Sequence, residues 1–266
     1  MTSSYDAAEL KSVSDRIRYG IVKNSSMNHV PHLGSCLSCT DILAALHLSV
    51  MSDDDIFLLS KGHAAPALYF VLAEKGIISE KEMEDYGSDG SLFGEHPPAH
   101  GIKGIHAATG SLGHGLPILC GMALASKIKG DSRRFYTLLG DGECNEGSIW
   151  EAVMFASAKK LGNVTAIIDF NKWQATDRSR EVMPLEPFAD KFRSFGWETA
   201  EIDGHDHTQI FKALAPADRE KPLVIIAHTV KGKGVSFMED DNNWHYRTPS
   251  KDEVAAAAKE LGAANA

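Results

Sequence analysis

Two apolar, strand-length segments that each end in a polar side chain constrain the fold of this chain more than any other feature. Residues 135–139 form the first and residues 164–170 the second, with an amphipathic segment at about 145–160 between them. This pattern predicts two parallel strands joined by a helix. The carboxyl ends of parallel strands meet at one edge of a sheet, where doubly wound folds bind ligands. We therefore expect Asp141 and Asn171, 30 residues apart, to lie together at that edge.

The residue types at this edge predict the chemistry of the ligand. Gly142 has no side chain, so a phosphate can approach the backbone there, and a helix N-terminus directs N–H groups at an anion. Asp141 supplies a carboxylate and Asn171 an amide oxygen, which suit octahedral Mg²⁺ together with backbone oxygens, phosphate oxygens and water. Gly-Asp-Gly alone is also an ordinary tight turn. The second strand ending in Asn makes a site for a Mg²⁺-diphosphate ligand the more specific interpretation.

Alternating strand and helix patterns over the rest of the chain predict an α/β fold, with a mostly parallel sheet and helices on both faces. Strands are predicted at 56–59, 135–139, 164–170, 198–202 and 223–228. Helices are predicted at 6–23 (capped by Ser4 or Asp6), 38–48, 64–75, 145–160 and 208–215. Another is predicted from the glycine-rich run at 110–115 to residue 129. A short helix is predicted to end near residue 195, and a final one to begin after Ser250. The length of 266 residues suits one domain, residues 1–266, with an amino-terminal helical extension and a carboxyl-terminal helix.

Charge and hydropathy exclude several classes of protein. The net charge is −9 and no basic run is interleaved with aromatic residues, so a nucleic acid is not an expected partner. The apolar stretches read as strand-length, without an 18-residue apolar span, so we expect no membrane-spanning segment. The first residues lack the charged and apolar regions of a signal peptide, and we expect a cytoplasmic protein.

The cysteines do not predict a disulfide framework, since four in a chain of this length are too few. They are Cys36, Cys39, Cys120 and Cys144. A zinc site of Cys36 and Cys39 with His29 and His32 is an alternative, but these four side chains crowd into 11 residues. We interpret Cys36 and Cys39 as small apolar residues near a helix start.

The segment from Gly140-Asp141-Gly142 to Asn171 resembles the thiamine diphosphate signature. Its extension, Gly-Asp-Gly-Glu-x-x-Glu-Gly-Ser-x-Trp-Glu-Ala, is similar to the transketolase family, and further matches follow in the family's order from about residue 25 to residue 249. The resemblance covers the amino-terminal half of a full-length transketolase. It implies a thiamine-diphosphate-binding fold over residues 1–266, with thiamine diphosphate as cofactor. Mg²⁺ is the implied metal, with Ca²⁺ or Mn²⁺ as alternatives.

The same resemblance implies the roles of individual residues. Four histidines would hydrogen-bond the sugar carbonyl and alkoxide and shuttle protons near neutral pH, namely His32, His63, His96 and His245. The implied cofactor-binding residues are Ser35, His63, Gly110, Ser111, Leu112, Asp141, Gly142, Glu143, Asn171, Lys231 and His245. The implied metal ligands are Asp141, Asn171 and the backbone oxygen of Trp173.

Several of these motifs also have simpler interpretations. A lone His after a strand often begins a helix, the run Gly110-Ser111-Leu112-Gly113 also fits a helix start, and Lys-Gly-Lys-Gly from Lys231 also fits an exposed turn. Glu146, placed one turn inside the predicted helix, would couple two active sites at a subunit interface or simply favour the helix N-terminus. Asp203-Gly204-His205-Asp206 is family-like and is assigned only to a turn.

The resemblance implies transfer of a two-carbon glycolaldehyde unit from a ketose (phosphate) donor to an aldose, with the cofactor supplying the difficult chemistry. In the family, the glutamate that activates the cofactor lies in a second, pyrimidine-binding module. The 266 residues end before such a module begins. We therefore expect the amino-terminal subunit of a split transketolase, inactive alone, with a companion chain, an α₂β₂ assembly and sugar phosphate substrates.

Three alternatives stay open at this stage. The chain could be the α subunit of a 2-oxo acid dehydrogenase, which shares Gly-Asp-Gly but is disfavoured by Ser60-Lys61-Gly62-His63 and Trp244-His245. It could belong to a split 1-deoxy-xylulose-phosphate synthase-like enzyme, which pyruvate as donor would reveal. It could also be a cofactor-binding or regulatory module without a partner. The sequence does not name the sugars or the pathway.

Overall fold

One fully parallel sheet organises the fold in a computed structural model, which describes residues 5–263. Its strands are β1 Ile56–Leu59, β2 Phe135–Gly140, β3 Val164–Phe170, β4 Glu198–Asp203 and β5 Leu223–His228. They are arranged in the order β1-β2-β3-β5-β4. All five strands were predicted from the sequence to within one residue, because each is a short apolar or alternating segment bounded by turn residues.

Ten helices cover the sheet and its edges within the described residues. They are α1 Ala7–Asn28, α2 Leu33–Ala45, α3 Ala65–Glu74, α4 Glu80–Glu84, α5 Gly115–Lys129, α6 Gly147–Ala158, α7 Ser179–Val182, α8 Phe188–Ser194, α9 His207–Leu214 and α10 Lys251–Glu260. A π-helical turn, Leu46–Val50, extends α2. Three 3-10 turns occur at Gly62–Ala64, Gly142–Asn145 and Asn242–His245.

The two faces of the sheet carry separate hydrophobic cores. Helices α1, α2, α3 and α9 pack with Leu138 and Ile167 on one face. Helices α5, α6 and α8 pack with Leu139 and Ile168 on the other. Because alternate residues of a strand point to opposite faces, a central strand buried on both sides is apolar almost throughout. The predicted α/β class with helices on both faces is confirmed.

The register of β2 against β3 places the predicted diphosphate edge. Gly140 pairs with Asp169 in the parallel ladder, so the residues that follow, Asp141 and Asn171, leave the sheet side by side at its carboxyl edge. The expectation drawn from two strands and a spacing of 30 residues is therefore met by the backbone.

Helix α1 is longer than predicted. It continues to Asn28 instead of ending at residue 23, because Asn24 and Ser25 make tertiary or end-of-helix hydrogen bonds to the carbonyls of Met83 and Val30. Such contacts override the weak helix propensity of these polar residues. Asp6 caps the helix by accepting bonds from two backbone N–H groups, as predicted, whereas the alternative cap Ser4 lies outside the described residues.

Helix α2 begins at Leu33, five residues before the predicted start. His32 precedes it in the left-handed conformation, with φ of 69°, so Ser35 lies in the first turn of a buried helix and not in a loop. The continuous segment Leu33–Val50 is apolar and long enough to cross a membrane, contrary to the expectation from sequence, and 89% of it is buried inside the fold. Such burial is typical of a core helix.

Glu146 is not inside a helix, so that prediction is wrong. Residues Gly142–Asn145 form a 3-10 turn, and α6 begins only at Gly147. Glu146 has an extended backbone at the junction and is exposed. The backbone N–H groups of Cys144 and Glu146 close this turn by donating to the carbonyls of Asp141 and Glu143. The Glu143 side chain also accepts from the backbone N–H of Gly140 at 3.0 Å, which ties the turn to β2.

Candidate active site

Four histidine side chains converge above the carboxyl edge of the sheet, although they come from four separate segments. The ring of His32 lies 5.4 Å from that of His63, 6.0 Å from that of His96 and 5.1 Å from that of His245, centroid to centroid. The rings of His63 and His245 are 5.9 Å apart. The structure thus brings together all four histidines that the sequence singled out as catalytic candidates.

Burial keeps three of these imidazoles neutral at pH 7. The pKa of His32 is lowered to about 4 by burial and then by His96 and Lys231. The pKa of His245 is lowered to about 3 by burial and then by the Lys231 charge, and that of His63 is also lowered, mainly by burial. The expectation of groups that titrate near neutrality is therefore wrong for these three. Each is suited instead to donate one hydrogen bond and accept another.

Buried neutral histidines also predict how stability depends on pH. A base whose pKa is depressed by folding stabilises the native state above its unfolded pKa, and this is lost as pH falls through the folded value. His47, which does not belong to the four-histidine cluster and is buried against Phe57 of β1, has its pKa lowered to about 3 by burial. The free energy of unfolding should therefore fall as the pH is lowered from about 7.5 to about 5. In His47→Leu we expect this fall to be smaller by about 2 kcal/mol.

Urea unfolding at the two pH values measures this difference. The matched control is His100→Leu, at an exposed loop histidine, which should leave the loss unchanged. Equal losses in His47→Leu and the unmodified chain would contradict the prediction.

Lys231 fixes the orientation of His245. Its Nζ donates to Oδ1 of Asn242 at 2.6 Å and contacts Nδ1 of His245 at 3.1 Å. When Lys231 is an ammonium group it can only donate in this contact, so Nδ1 of the neutral His245 ring accepts and Nε2 carries the proton. The lysine side chain crosses Gly34, where a Cβ would lie 2.9 Å from its Cγ. Burial, and then the Lys61 charge, lowers the pKa of Lys231 to about 7.

A buried ion pair beneath the histidines was not predicted from the sequence. Lys61 Nζ donates to Asp169 Oδ2 and, at 3.0 Å, to the carbonyl of Ser35. Asp169 also accepts from the hydroxyls of Ser38 and Thr229. Burial alone would raise the pKa of Asp169, but the Lys61 ammonium and these donors hold it below its usual value. A signal existed: Asp169 is the one charged residue in the otherwise uncharged strand β3.

Glu143 joins three segments of the site. One carboxylate oxygen accepts from Ser60 Oγ at 2.5 Å and Gly113 N at 3.0 Å, and the other from Gly140 N at 3.0 Å. Burial raises the pKa of this carboxyl against those bonds. With both oxygens engaged in this way, Glu143 holds the loops in register, and its contact with a cofactor stays a prediction.

The predicted glycine-rich segment lies against the histidine cluster. A Cβ on Gly110, where φ is 138°, would come within 2.7 Å of Cδ2 of His96. Gly62, beside His63, approaches Gly110 so closely that its Cβ would lie 2.6 Å from the backbone nitrogen. Ser111 is exposed and Leu112 half-buried at the rim. These close approaches leave backbone, not side chains, facing the cluster.

The predicted metal ligands lie together at the end of β2 and β3. Asp141 is buried and accepts from Ser179 Oγ at 2.7 Å, and burial raises its pKa to about 6. Asn171 Oδ1 accepts from the backbone N–H of Trp173 at 3.0 Å, which orients that amide oxygen. A buried carboxyl with a raised pKa is one that a divalent cation would stabilise in its charged form.

Across residues 5–263, no group of three or more His, Cys, Asp or Glu side chains is placed to hold a metal ion. The predicted donor set contains one such side chain, Asp141, with an amide and a carbonyl. Donors of this kind suit a hard cation that keeps water and phosphate oxygens as further ligands. The donor types at this edge therefore fit the expected group. Gly142, at the same edge, packs against Gln174, whose Cγ would lie 2.7 Å from a Cβ.

Comparison with known proteins identifies the relatives of this arrangement. Residues 40–266 match the family described as the thiamine diphosphate-binding domain of transketolase. An apulose-4-phosphate transketolase subunit of Phocaeicola vulgatus is 38% identical over 267 residues, which cover 96% of this chain and 94% of that protein. The 6-deoxy-6-sulfo-D-fructose transketolase subunit SqwG of Clostridium sp. is 40% identical over 243 residues, covering 87% of this chain and 88% of that one.

The fold has the same relatives. The crystal structure of transketolase from Campylobacter jejuni superimposes with a TM-score of 0.90 at 27% identity. The superposition covers 97% of this chain but only 43% of that one. The chain therefore spans less than half of a full-length transketolase and nearly all of the relatives that are named as single transketolase subunits.

Proposed function

This chain belongs to the transketolase family through its thiamine diphosphate-binding domain, and we propose that it is the amino-terminal subunit of a two-chain transketolase. The proposed reaction moves a two-carbon glycolaldehyde unit from a ketose phosphate to an aldose. The gathering of His32, His63, His96 and His245 above the sheet edge that carries Asp141 and Asn171 supports this proposal. The alternatives of a 2-oxo acid dehydrogenase, a 1-deoxy-xylulose-phosphate synthase-like enzyme and an orphan module are not favoured, since the similar proteins are named as transketolases.

Bound thiamine diphosphate supplies the nucleophilic carbon for this transfer. We propose that Mg²⁺ accompanies it, with Ca²⁺ or Mn²⁺ as substitutes, and that Asp141, Asn171 and the Trp173 carbonyl hold the metal. The diphosphate would lie near the backbone of the segments that contain Gly142 and Gly110.

The histidines position the sugar in this proposal. His245 presents Nε2–H, because Lys231 contacts its Nδ1, and that proton would be donated to a sugar oxygen. His32 Nδ1 is buried and has no partner within the described residues. An unpaired buried nitrogen is unfavourable, so a hydroxyl or amine of a bound molecule is its expected partner.

A companion subunit is the second half of the proposal. Relatives whose names describe only one subunit of a transketolase imply such a chain, and we propose that it carries the pyrimidine-binding module in an α₂β₂ assembly. Large apolar side chains on α5 and α6 are exposed, namely Ile118, Met154 and Phe155. An exposed apolar group of this kind supports coverage by another protein chain. Residues 1–266 would act as one cytoplasmic domain, with no nucleic acid or membrane partner.

Capture of the tagged chain from its own cells, with thiamine diphosphate and Mg²⁺ present, tests this function. We expect a stoichiometric companion and two-carbon transfer from a ketose phosphate by the captured complex. Pyruvate as the productive donor would favour the 1-deoxy-xylulose-phosphate synthase-like alternative, and decarboxylation of a 2-oxo acid would favour the dehydrogenase. Capture without any companion would contradict the two-chain proposal.

A further inference from the structure

A histidine outside the four-histidine cluster is connected to it through the backbone. His205 lies in the turn after β4, with Nδ1 2.8 Å from Asp41 Oδ2. The backbone N–H of Val230 donates to His205 Nε2 at 2.9 Å. Because Nε2 accepts that bond, it cannot carry a proton, and Nδ1 must be the nitrogen that donates to Asp41. The two contacts together fix one neutral tautomer.

Asp41 is itself held in place by Arg18. The guanidinium lies 2.5 Å and 3.1 Å from the two carboxylate oxygens, so that the contact is bidentate. Arg18 also donates to the carbonyl of Leu37. Burial alone would raise the pKa of Asp41, but the Arg18 charge and His205 hold it well below its usual value. His205 therefore contacts a charged carboxylate on α2 that is held in place by Arg18 of α1.

The turn that contains His205 does not need its imidazole. The backbone N–H of Gly204 donates to the carbonyl of His228 at 2.8 Å, and that of His205 to Asp203 Oδ1 at 2.8 Å. These bonds close the turn through the backbone and an aspartate. The imidazole is therefore not needed to close the turn, and its contacts are with Asp41 and Val230.

Val230 lies directly before the lysine that orients His245. On its other side, Thr229 is fixed by its hydroxyl bond to Asp169 and its N–H bond to the Phe170 carbonyl. Beyond Lys231, the Gly232 N–H donates to the Gly34 carbonyl at 3.0 Å. Two residues, Val230 and Lys231, lie between these anchors, and His205 accepts the backbone N–H of the first of them.

We propose that His205 is a positioning residue that holds Val230, and through it Lys231 and His245, in the geometry needed at the cofactor site. This extends the interpretation of Asp203-Gly204-His205-Asp206 beyond a turn, and its catalytic consequence rests on the proposed transketolase function. Its structural part, an Nδ1–H imidazole that accepts from Val230, does not depend on that function.

Two substitutions at His205 separate the contacts. In His205→Asn the amide reaches only as far as Nδ1 and keeps the bond to Asp41, whereas in His205→Gln it reaches as far as Nε2 and keeps an acceptor for Val230. If His205 acts on Val230, His205→Gln should rescue what His205→Asn loses. The matched control is His207→Asn, since His207 belongs to the same cluster, 3.6 Å from Asp41 and 3.4 Å from Ser14.

Amide hydrogen exchange of Val230 in the chain alone is the first readout. We expect exchange about 10-fold faster in His205→Asn, and near-native exchange in His205→Gln and His207→Asn. The second readout is the thiamine diphosphate concentration for half-maximal rate in the assembled enzyme, which should rise about 10-fold in His205→Asn alone. An Nε2–H tautomer in the ¹⁵N spectrum, or equal effects of His205→Asn and His205→Gln, would overturn the proposal. A wild-type complex that is inactive despite normal Val230 protection would contradict the proposed function only.

Discussion

Asp169→Asn is expected to lower the free energy of unfolding of this chain by about 3–5 kcal/mol. The substitution removes the charge that compensates Lys61, whose side chain is 1% exposed beneath the four histidines. An ammonium group left there without a carboxylate would be buried and uncompensated. Burial alone would lower the pKa of Lys61, yet the Asp169 carboxylate holds it above its usual value. The charged form of Lys61 therefore depends on Asp169. Urea unfolding of the purified chain near pH 7 measures this change.

Two comparisons make that prediction specific. Asp190→Asn breaks an exposed pair with Arg193 and should change the unfolding free energy little. The double variant Lys61→Met/Asp169→Leu should recover much of the loss, because apolar side chains of similar volume can replace a buried pair. A small loss in Asp169→Asn, similar to that of Asp190→Asn, would show that the pair is not buried as described.

Asp141→Asn is expected to lower the rate of the assembled enzyme by more than about 100-fold without destabilising the chain. Mutating a residue that only hydrogen-bonds a metal ligand typically lowers metal affinity or activity by about 10- to 100-fold. Mutating a direct ligand should cost at least the upper part of that range. Folding raises the pKa of Asp141 to about 6. Ionisation of this carboxyl therefore lowers the free energy of unfolding progressively from about pH 4, and the full loss is reached above about pH 6. Asparagine removes that charge and still accepts from Ser179, so stability at pH 7 should be equal or higher.

Initial rates of two-carbon transfer at saturating Mg²⁺, together with urea unfolding, measure the two halves of this prediction. The matched control is Asp252→Asn, at the exposed start of α10, which should retain the rate. A fully active Asp141→Asn enzyme would show that this carboxylate does not hold the metal. A large loss of stability would show that it serves mainly the fold.

The edge that carries Asp141 and Asn171 could be predicted because it follows from local patterns. Each strand is a short apolar segment, each ends in a distinctive turn residue, and parallel pairing alone brings the two ends together. The resemblance of separate histidine motifs to one family then predicted that they would share one site. The structure places the His32 ring 5.1 to 6.0 Å from each of the other three, and the His63 and His245 rings 5.9 Å apart.

The supporting contacts could not be predicted in this way, because they join residues far apart in the chain. Lys61 and Asp169 are 108 residues apart, and Asp41 and His205 are 164 apart. No periodicity or short motif pairs them. The pKa values of the histidines likewise depend on how deeply the loops bury them. The start of α2 at Leu33 was missed because His32, in a left-handed conformation, provides no usual capping side chain.

Reconstitution from separate chains tests whether two-carbon transfer needs both subunits. This chain and its captured companion are purified apart, then assayed singly and mixed, with thiamine diphosphate, Mg²⁺, a ketose phosphate donor and an aldose acceptor. A two-chain transketolase should show no two-carbon transfer by either chain alone and full transfer on mixing, with the rate saturating at equal amounts of the two chains. Transfer by this chain alone at the rate of the mixture would contradict the two-chain proposal.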